Sequence, residues 1–321
     1  MQRRTLGRGP AITELGLGAA QFGNLYRETT DEASSAAVDA AWHSGIRYFD
    51  TAPHYGIGLS ERRLGAALAQ YPRDEFVIST KAGRALVPTP ENADQLDEHG
   101  FMVPATFRRE WDFSRDGILR SIEGSLERLG LDRLDIVYLH DPDSHWAEAS
   151  TTGIDTLIEL RDQGMVGAIG AGMNQSAMIT EFIRQTDVDV MMLAGRFTLL
   201  EQGALDELLP LALERGVGIV AAAIYNSGLL SAPRPAADAR YDYQQAPPEL
   251  LARANAIADV CERWGVTLPD AAVAYPLRHP AVVSVVLGTR TEEQVASNVS
   301  RYETVISDGL WADLAAEGLI P

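Results

Sequence analysis

The chain has 321 residues, long for one ordinary domain but normal for a single α/β barrel. Hydrophobic residues make up 46% of it, enough for a large core, so wholesale disorder is not expected. The formal charge of −18 repels phosphate backbones and anionic lipid, which argues against nucleic acid and membrane partners.

The first residues, MQRRTLGRGP, carry no apolar run after their arginines, so no signal peptide is expected, and no later stretch is apolar for long enough to span a bilayer. Residues 3–14, RRTLGRGPAITE, read as a small hairpin closing a barrel floor. Strands are then expected at 14–20, 46–50, 76–82, 134–140, 166–172, 188–194, 217–224 and 282–288. They are rich in Val and Ile and mostly do not alternate with polar residues. That pattern suits strands buried on both faces, hence a parallel sheet.

Amphipathic segments lie between them. Residues 30–45 have Thr30 as N-cap, acids in the first turn and Gly45 as stop. Ser60 and Glu61 open a further helix after the second strand. Residues 114–130 repeat the design, with Ser114 as cap, one face of Ile118, Ile122, Leu126 and Leu129, and Gly130 at the end. Helices follow at 152–164, 176–186, 203–216, 248–265 and 291–299, and Pro210 is expected to kink one of them. The lone cysteine, Cys261, sits in a helical pattern, so no intrachain disulfide forms, which fits a reducing cytosol.

Eight strands, each followed by a helix, predict a single-domain (β/α)8 barrel. The runner-up is a doubly wound open sheet, but no G-x-G-x-x-G follows the first strand, and GLGAAQFG (16–23) is mis-spaced. Two stretches fit no helix. Residues 83–113 carry Phe101, Phe107, Trp111 and Phe113, and residues 231–247 carry Tyr241 and Tyr243. Both emerge at the C-terminal rim, where barrel active sites sit, and connections of that length often serve as lids.

Asp50 ends the second strand, Lys81 the third and His140 the fourth, and Tyr55 lies just beyond Asp50 in FDTAPHYG. In a parallel barrel these ends converge on one rim. Free tyrosine titrates near ~10, and an adjacent ammonium is expected to lower that by roughly 1–3. Asp50 would hold Lys81 charged, His140 would bond a substrate oxygen, and the tuned phenol would trade protons with an alcohol or carbonyl. Each residue taken alone also has a plain structural reading: Asp50 as a strand-end cap, Lys81 as a surface lysine with a buried stem, Tyr55 as rim packing. No acid–histidine set has metal-ligand spacing. A lyase or aldolase with Lys81 as Schiff-base amine is a rival reading, weakened because a salt-bridged lysine is a poor nucleophile.

FDTAPHYG, STKAG, DIVYLHDPD and VVLGTRTEEQVASNV resemble the aldo-keto reductase superfamily, in order and over nearly the whole chain. The resemblance implies a (β/α)8 barrel with a nicotinamide cofactor across its rim and a tetrad of Asp50, Tyr55, Lys81 and His140, with Tyr55 as general acid/base. AQFGNLYRE and IGAGMNQ look closer to the D-threo-aldose 1-dehydrogenase (L-fucose dehydrogenase) branch. Pyridoxal 4-dehydrogenase and plant L-galactose dehydrogenase are similar too. The implied reaction is oxidation of an aldose C1 hydroxyl to an aldonolactone. The alternatives are oxidation of pyridoxal to its lactone, broad aldehyde or ketone reduction, or a cofactor-sensing regulatory subunit on the same barrel.

From the same resemblance, the backbone of Gly18, Ala20, Gln21 and Phe22 and the Asn174 amide border the nicotinamide. Tyr225 lies close to where relatives stack a tyrosine on that ring. Gly288, Thr289, Arg290, Gln294 and Asn298 hold the adenosine end. Glu292 and Glu293 oppose a 2′-phosphate and Arg290 favours one, so NAD or NADP stays open with a lean to NAD. Phe22, Trp111 and His140 are the expected substrate contacts. The partner is a small sugar or pyridoxal-like molecule, and the chain is a monomer or homo-oligomer.

Overall fold

A computed structural model describes every residue except Leu6 and Tyr243. Eight parallel strands form a closed barrel: β1 (Leu15–Gly18), β2 (Tyr48–Asp50), β3 (Val77–Ala82), β4 (Leu134–His140), β5 (Val166–Met173), β6 (Val190–Ala194), β7 (Gly218–Ala222) and β8 (Val282–Gly288). Each strand pairs with the next in the chain, and β8 pairs back to β1, so the expected barrel is the one observed.

Ten helices of eight or more residues accompany these strands among the described residues: α1 (Asp31–His43), α2 (Leu59–Leu68), α3 (Arg115–Leu129), α4 (Ile154–Asp162), α5 (Ser176–Gln185), α6 (Leu208–Arg215), α7 (Pro248–Arg263), α8 (Leu268–Leu277), α9 (Glu292–Glu303) and α10 (Asp308–Ala316). The caps work as their residue types dictate. Thr30 accepts from the Ala33 amide and Ser114 from the Gly117 amide, each satisfying a donor the helix cannot. Pro210 does not kink a helix. α6 starts at Leu208, so the proline falls in the first turn, where its missing N–H costs no bond. No helix among the described residues is long and apolar enough to cross a membrane.

Strand alternation sorts the core into two layers. Tyr48, Ile136, Tyr138, Val190, Met192, Val220 and Val286 fill the barrel interior. Their neighbours Phe49, Val137, Leu139 and Met191 join the larger apolar cluster that includes the helices. The expected floor hairpin is present as Arg3–Thr5 paired with Ala11–Thr13, and Arg4 ties it down by donating to the Val282 carbonyl at 2.6 Å and the Leu277 carbonyl at 2.9 Å.

At the opposite rim the first long connection is more ordered than its sequence suggests. Arg84–Pro88 and Phe107–Trp111 pair as an antiparallel hairpin, with Arg84 opposite Trp111. Gly83 makes the turn into it at φ 96°, where a side chain would also collide with Phe113. In the second connection Arg240–Tyr241 pairs with Gln244–Gln245, and Tyr241 donates to Glu201. The lid role expected of Tyr243 lies outside the described residues.

Candidate active site

The barrel brings the four strand-end residues together. Asp50 on β2 is level with Ser79 on β3, and Lys81 stands two residues further along the same inward face. The Lys81 ammonium donates to both Asp50 carboxylate oxygens, at 3.0 and 2.8 Å, and to the Thr51 carbonyl at 2.9 Å. Lys81 and Asp50 are each 3% exposed. Burial, the largest single influence, pushes the Lys81 pKa down, but Asp50 and Tyr55 together outweigh it, and the net shift is upward. The lysine is held charged, as expected.

Tyr55 sits in the turn after β2, with the Lys81 nitrogen 4.9 Å from its ring centroid. His140, at the end of β4, meets the Tyr55 ring edge-on at 5.9 Å. The expected depression of the tyrosine pKa is not what the geometry produces. Burial raises it, Lys81 lowers it, Asp50 raises it, and the sum lies above the ordinary value. Desolvation of the phenolate outweighs the ammonium because Asp50 already absorbs most of that charge. The His140 pKa is driven well below its usual value, by burial first and then by Arg84, Lys81, His54 and Arg109. Its imidazole is therefore neutral and offers a hydrogen bond rather than a charge.

Sequence reasoning missed the second set of polar groups on this rim. His54 packs edge-on against His140 at 5.4 Å and Phe101 at 5.3 Å, and its pKa falls to about 2, through burial and then the charges of Arg84 and Arg109. Arg84 donates to the Asp141 carboxylate at 2.5 Å and lies 4.3 Å over the Trp111 ring. Arg109 pairs with Asp97 and donates to the His54 carbonyl at 2.8 Å. Asp141 holds a left-handed φ of 40° directly after His140, a conformation aspartate tolerates better than most residues. The usable signal was local: His54 adjoins Tyr55 in APHYG, and Asp141 adjoins His140 in LHDPD.

The expected substrate contacts divide. Trp111 is 41% exposed on the lid hairpin, so it is not core, although Arg84 occupies one of its faces. Phe22 has no exposed surface and belongs to the apolar core, so it presents nothing to a substrate in this conformation. The short strand β1 ends at Gly18, and the chain then folds inward as a turn of 3-10 helix that buries the ring.

The cofactor residues fall into two groups. Gly288 is level with Gly18 across the β8–β1 pair, and a Cβ on it would come within 2.5 Å of the Gln21 amide. The Gln21 side-chain oxygen Oε1 is buried and finds no hydrogen-bond partner among the described residues, and the same holds for Asn226 Oδ1. Asn226 belongs to a turn after β7 in which Ala223, Asn226, Ser227 and Gly228 all have positive φ. These unmet polar atoms and glycine-lined edges fit a nicotinamide dinucleotide along the rim. Asn174 is exposed after β5. Ala20 is partly buried beside Gln21.

At the far end Asn298 is buried on α9, donates to Thr289 at 3.4 Å and accepts from Tyr225 at 3.3 Å. Arg301 donates to the Tyr225 hydroxyl at 2.9 Å. Tyr225 therefore bonds to α9, away from the nicotinamide end where it was expected, because Asn298 and Arg301 offer partners for its hydroxyl. Gln294 accepts from the Arg290 amide at 2.8 Å and so closes the start of α9. The Arg290 guanidinium is committed to the carbonyls of Arg27 at 2.9 Å and Leu25 at 2.7 Å and to the Thr29 hydroxyl. It pins the 25–29 loop.

The chain is 50% identical to the D-threo-aldose 1-dehydrogenase of Pseudomonas sp over 316 residues, covering 98% of this chain and 96% of that one. It is 41% identical to the pyridoxal 4-dehydrogenase of Microbacterium luteolum over 339 aligned positions, covering 99% and 98%. The fold is shared with the glycerol dehydrogenase structure from Gluconobacter oxydans, with a TM-score of 0.79, 22% identity, and 99% and 96% of the two chains covered. Residues 14–316 match the aldo/keto reductase family, the span that holds the barrel and every rim residue described above. On that match and these identities, the chain belongs to the aldo/keto reductase family and is an NAD(P)-dependent oxidoreductase.

Proposed function

We propose that the protein oxidises the C1 hydroxyl of an aldose to the aldonolactone. The observation that carries this is the enclosed Lys81–Asp50 pair beneath Tyr55, with a neutral His140 across from it. The sugar hydroxyl lies between Tyr55 and His140. His140 donates a hydrogen bond to the reacting oxygen, and Tyr55 takes the hydroxyl proton. The nicotinamide, when bound along Gln21, Gly288 and Asn226, supplies the redox chemistry by accepting the hydride that leaves C1. Lys81 stabilises the phenolate that Tyr55 must hold before it takes that proton and becomes a phenol, and Asp50 keeps Lys81 charged and oriented.

Around this centre the Arg84–Asp141 pair and His54 supply hydrogen-bonding groups that suit a hydroxyl-rich substrate. Relatives named for an aldose and for pyridoxal frame the choice. The exposed Trp111 ring favours the second reading, oxidation of pyridoxal, by offering flat apolar surface. The committed Arg290 and the exposed Glu292 and Glu293 support NAD over NADP, since none of the three welcomes a 2′-phosphate.

The experiment is a matrix of aldoses and pyridoxal against NAD and NADP, followed by nicotinamide absorbance with product identification. The aldose reading expects lactone from a D-threo-aldose such as L-fucose and a lower KM for NAD. Turnover of pyridoxal with no aldose oxidised would refute it. Tyr55→Phe should lose roughly 10²–10⁴ in kcat, the range of general acid–base catalysis.

A further inference from the structure

Each inward-facing residue of the proposed tetrad on the strands has a hydroxyl-bearing residue two positions before it. Tyr48 precedes Asp50, Ser79 precedes Lys81 and Tyr138 precedes His140. Period-two alternation puts each pair on the same face, so each hydroxyl lies one inward-facing step deeper along its own strand, with Ser79 level with Asp50 and Tyr138 level with Lys81. Tyr48, Ser79 and Tyr138 are each 0% exposed.

These hydroxyls are linked in series. The Ser79 hydroxyl donates to Asp50 Oδ1 at 2.7 Å, the Tyr48 hydroxyl lies 3.0 Å from Ser79 Oγ, and the Tyr138 hydroxyl lies 3.2 Å from that of Tyr48. The carboxylate can only accept, so the single Ser79 proton is committed to it. Tyr48 must then donate to Ser79, and Tyr138 to Tyr48. Burial raises the pKa of both tyrosines, so both remain phenols with a proton to give. The tyrosine rings otherwise touch aliphatic side chains such as Ile136, Val190 and Val286. Phenylalanine would fill that space without burying an oxygen, a burial that costs free energy unless the oxygen is bonded.

We propose that Tyr138, Tyr48 and Ser79 are positioning residues, a one-way file of hydroxyls that donates into Asp50 and thereby sets how much of the Lys81 ammonium is left for Tyr55. Asp50 divides its charge between this file and Lys81. Each donated hydroxyl dipole reinforces the next and loosens the grip of Asp50 on the lysine, leaving more positive potential at the phenol. The inference deepens the tetrad reading and rests on it only for its effect on turnover.

Lys81 provides the probe, because it is the only lysine among the 27 Lys and Arg residues. Protein labelled with ¹³C,¹⁵N-lysine gives one side-chain signal, and that signal reports the ammonium without any turnover. Ser79→Ala should move it, Tyr48→Phe should move it less, and Tyr138→Phe least. Tyr48→Phe added to Ser79→Ala should move it no further, since Tyr48 acts only through Ser79. Ser79→Thr, which keeps a hydroxyl, should restore the parent signal.

In activity, Ser79→Ala should shift the phenol-dependent limb of the kcat–pH profile upward by about 0.5–1 pH unit. The charged and titratable groups facing Tyr55 there are Lys81, Asp50, Asp141, His140, His54 and Arg84. Of these, Asp50 alone accepts from Ser79. An unmoved lysine signal in Ser79→Ala, or additive effects of Ser79→Ala and Tyr48→Phe, overturns the proposal. If the lysine signal responds as expected while Tyr55→Phe keeps full activity, the file stands and the catalytic reading of Tyr55 falls.

Discussion

Acidification should loosen this protein at its site before its carboxylates matter. His54 and His140 are both held neutral in the fold, with pKa values about 2 and well below 6.5. In the unfolded chain each would take up a proton below about pH 6.5. A group whose folded pKa is depressed stabilises the fold above its unfolded pKa, and the gain is lost as pH falls. Well below pH 6.5 these two rings bind two more protons in the unfolded state than in the folded one and lower stability by about 2.7 kcal/mol per pH unit, and His99 and His279, whose pKa values are also lowered, steepen the slope. From pH 7.5 to 5 the loss from these two rings reaches about 4 kcal/mol, a large share of the roughly 5–15 kcal/mol a folded protein holds. Urea unfolding at half-unit steps between pH 7.5 and 5 measures the slope. His54→Gln should lower it by about 1.4 kcal/mol per pH unit. A flat profile across that window, or a slope that His54→Gln leaves unchanged, would refute the reasoning that cations and burial keep these rings neutral.

The remaining predictions address other parts of the rim and its supports. Kinetically, oxidation should quicken as pH rises above neutral, since the raised Tyr55 pKa leaves the phenol protonated, and the reverse reduction should slow only at alkaline pH. Parallel kcat–pH profiles in the two directions check this. Asp141→Asn should raise KM for a hydroxylated substrate by about 10–100-fold with a smaller change in kcat, the scale of one charge-assisted hydrogen bond. Gly56→Ala should lower kcat by about 10²-fold in steady-state assays, because the new methyl at φ 60° collides with the Gly23 carbonyl and pushes Tyr55 out of place. Glu61 is fully buried and holds Arg128 at 2.6 Å and Thr80 at 2.7 Å, so Glu61→Ala should cost about 3–5 kcal/mol in a denaturant melt.

The fold was legible because its signals are local and repeated. A Val/Ile run with a polar residue at its end reads as a buried parallel strand, and eight of them close only one way. Caps such as Thr30 and Ser114 announce themselves by residue type, since a hydroxyl before an apolar period has one obvious use. Pro210 was misjudged because the helix expected from 203 starts five residues later, at Leu208, after a separate 3-10 turn at Gly203–Leu205. That Asp50, Tyr55, Lys81 and His140 converge on one rim was legible from strand-end placement plus family motifs. The sign of the Tyr55 shift was not, because it depends on how Asp50 and burial divide the Lys81 charge, and only packing sets that balance. Arg84, His54 and Asp141 escaped for a related reason. Their significance comes from the lid hairpin folding back over β4, a contact between residues 84 and 141 that no spacing rule encodes.

The choice of side chain at position 81 follows from the same balance. Each of the other 26 Lys and Arg positions is an arginine, and several of those arginines bridge separate segments: Arg4 the floor, Arg290 the 25–29 loop, Arg128 two helices. A planar five-donor fork suits such bridges because it can reach several carbonyls at once. Between Asp50, Thr51 and Tyr55 there are three acceptors within 3.0 Å and a phenol above them, all enclosed. A guanidinium there would leave N–H groups buried without partners, a cost the compact ammonium avoids by matching three protons to three acceptors. The ammonium also concentrates its charge at one point near the phenol ring, whereas a guanidinium spreads it over a plane. The single lysine thus stands where a point charge, rather than a bridge, is the useful object.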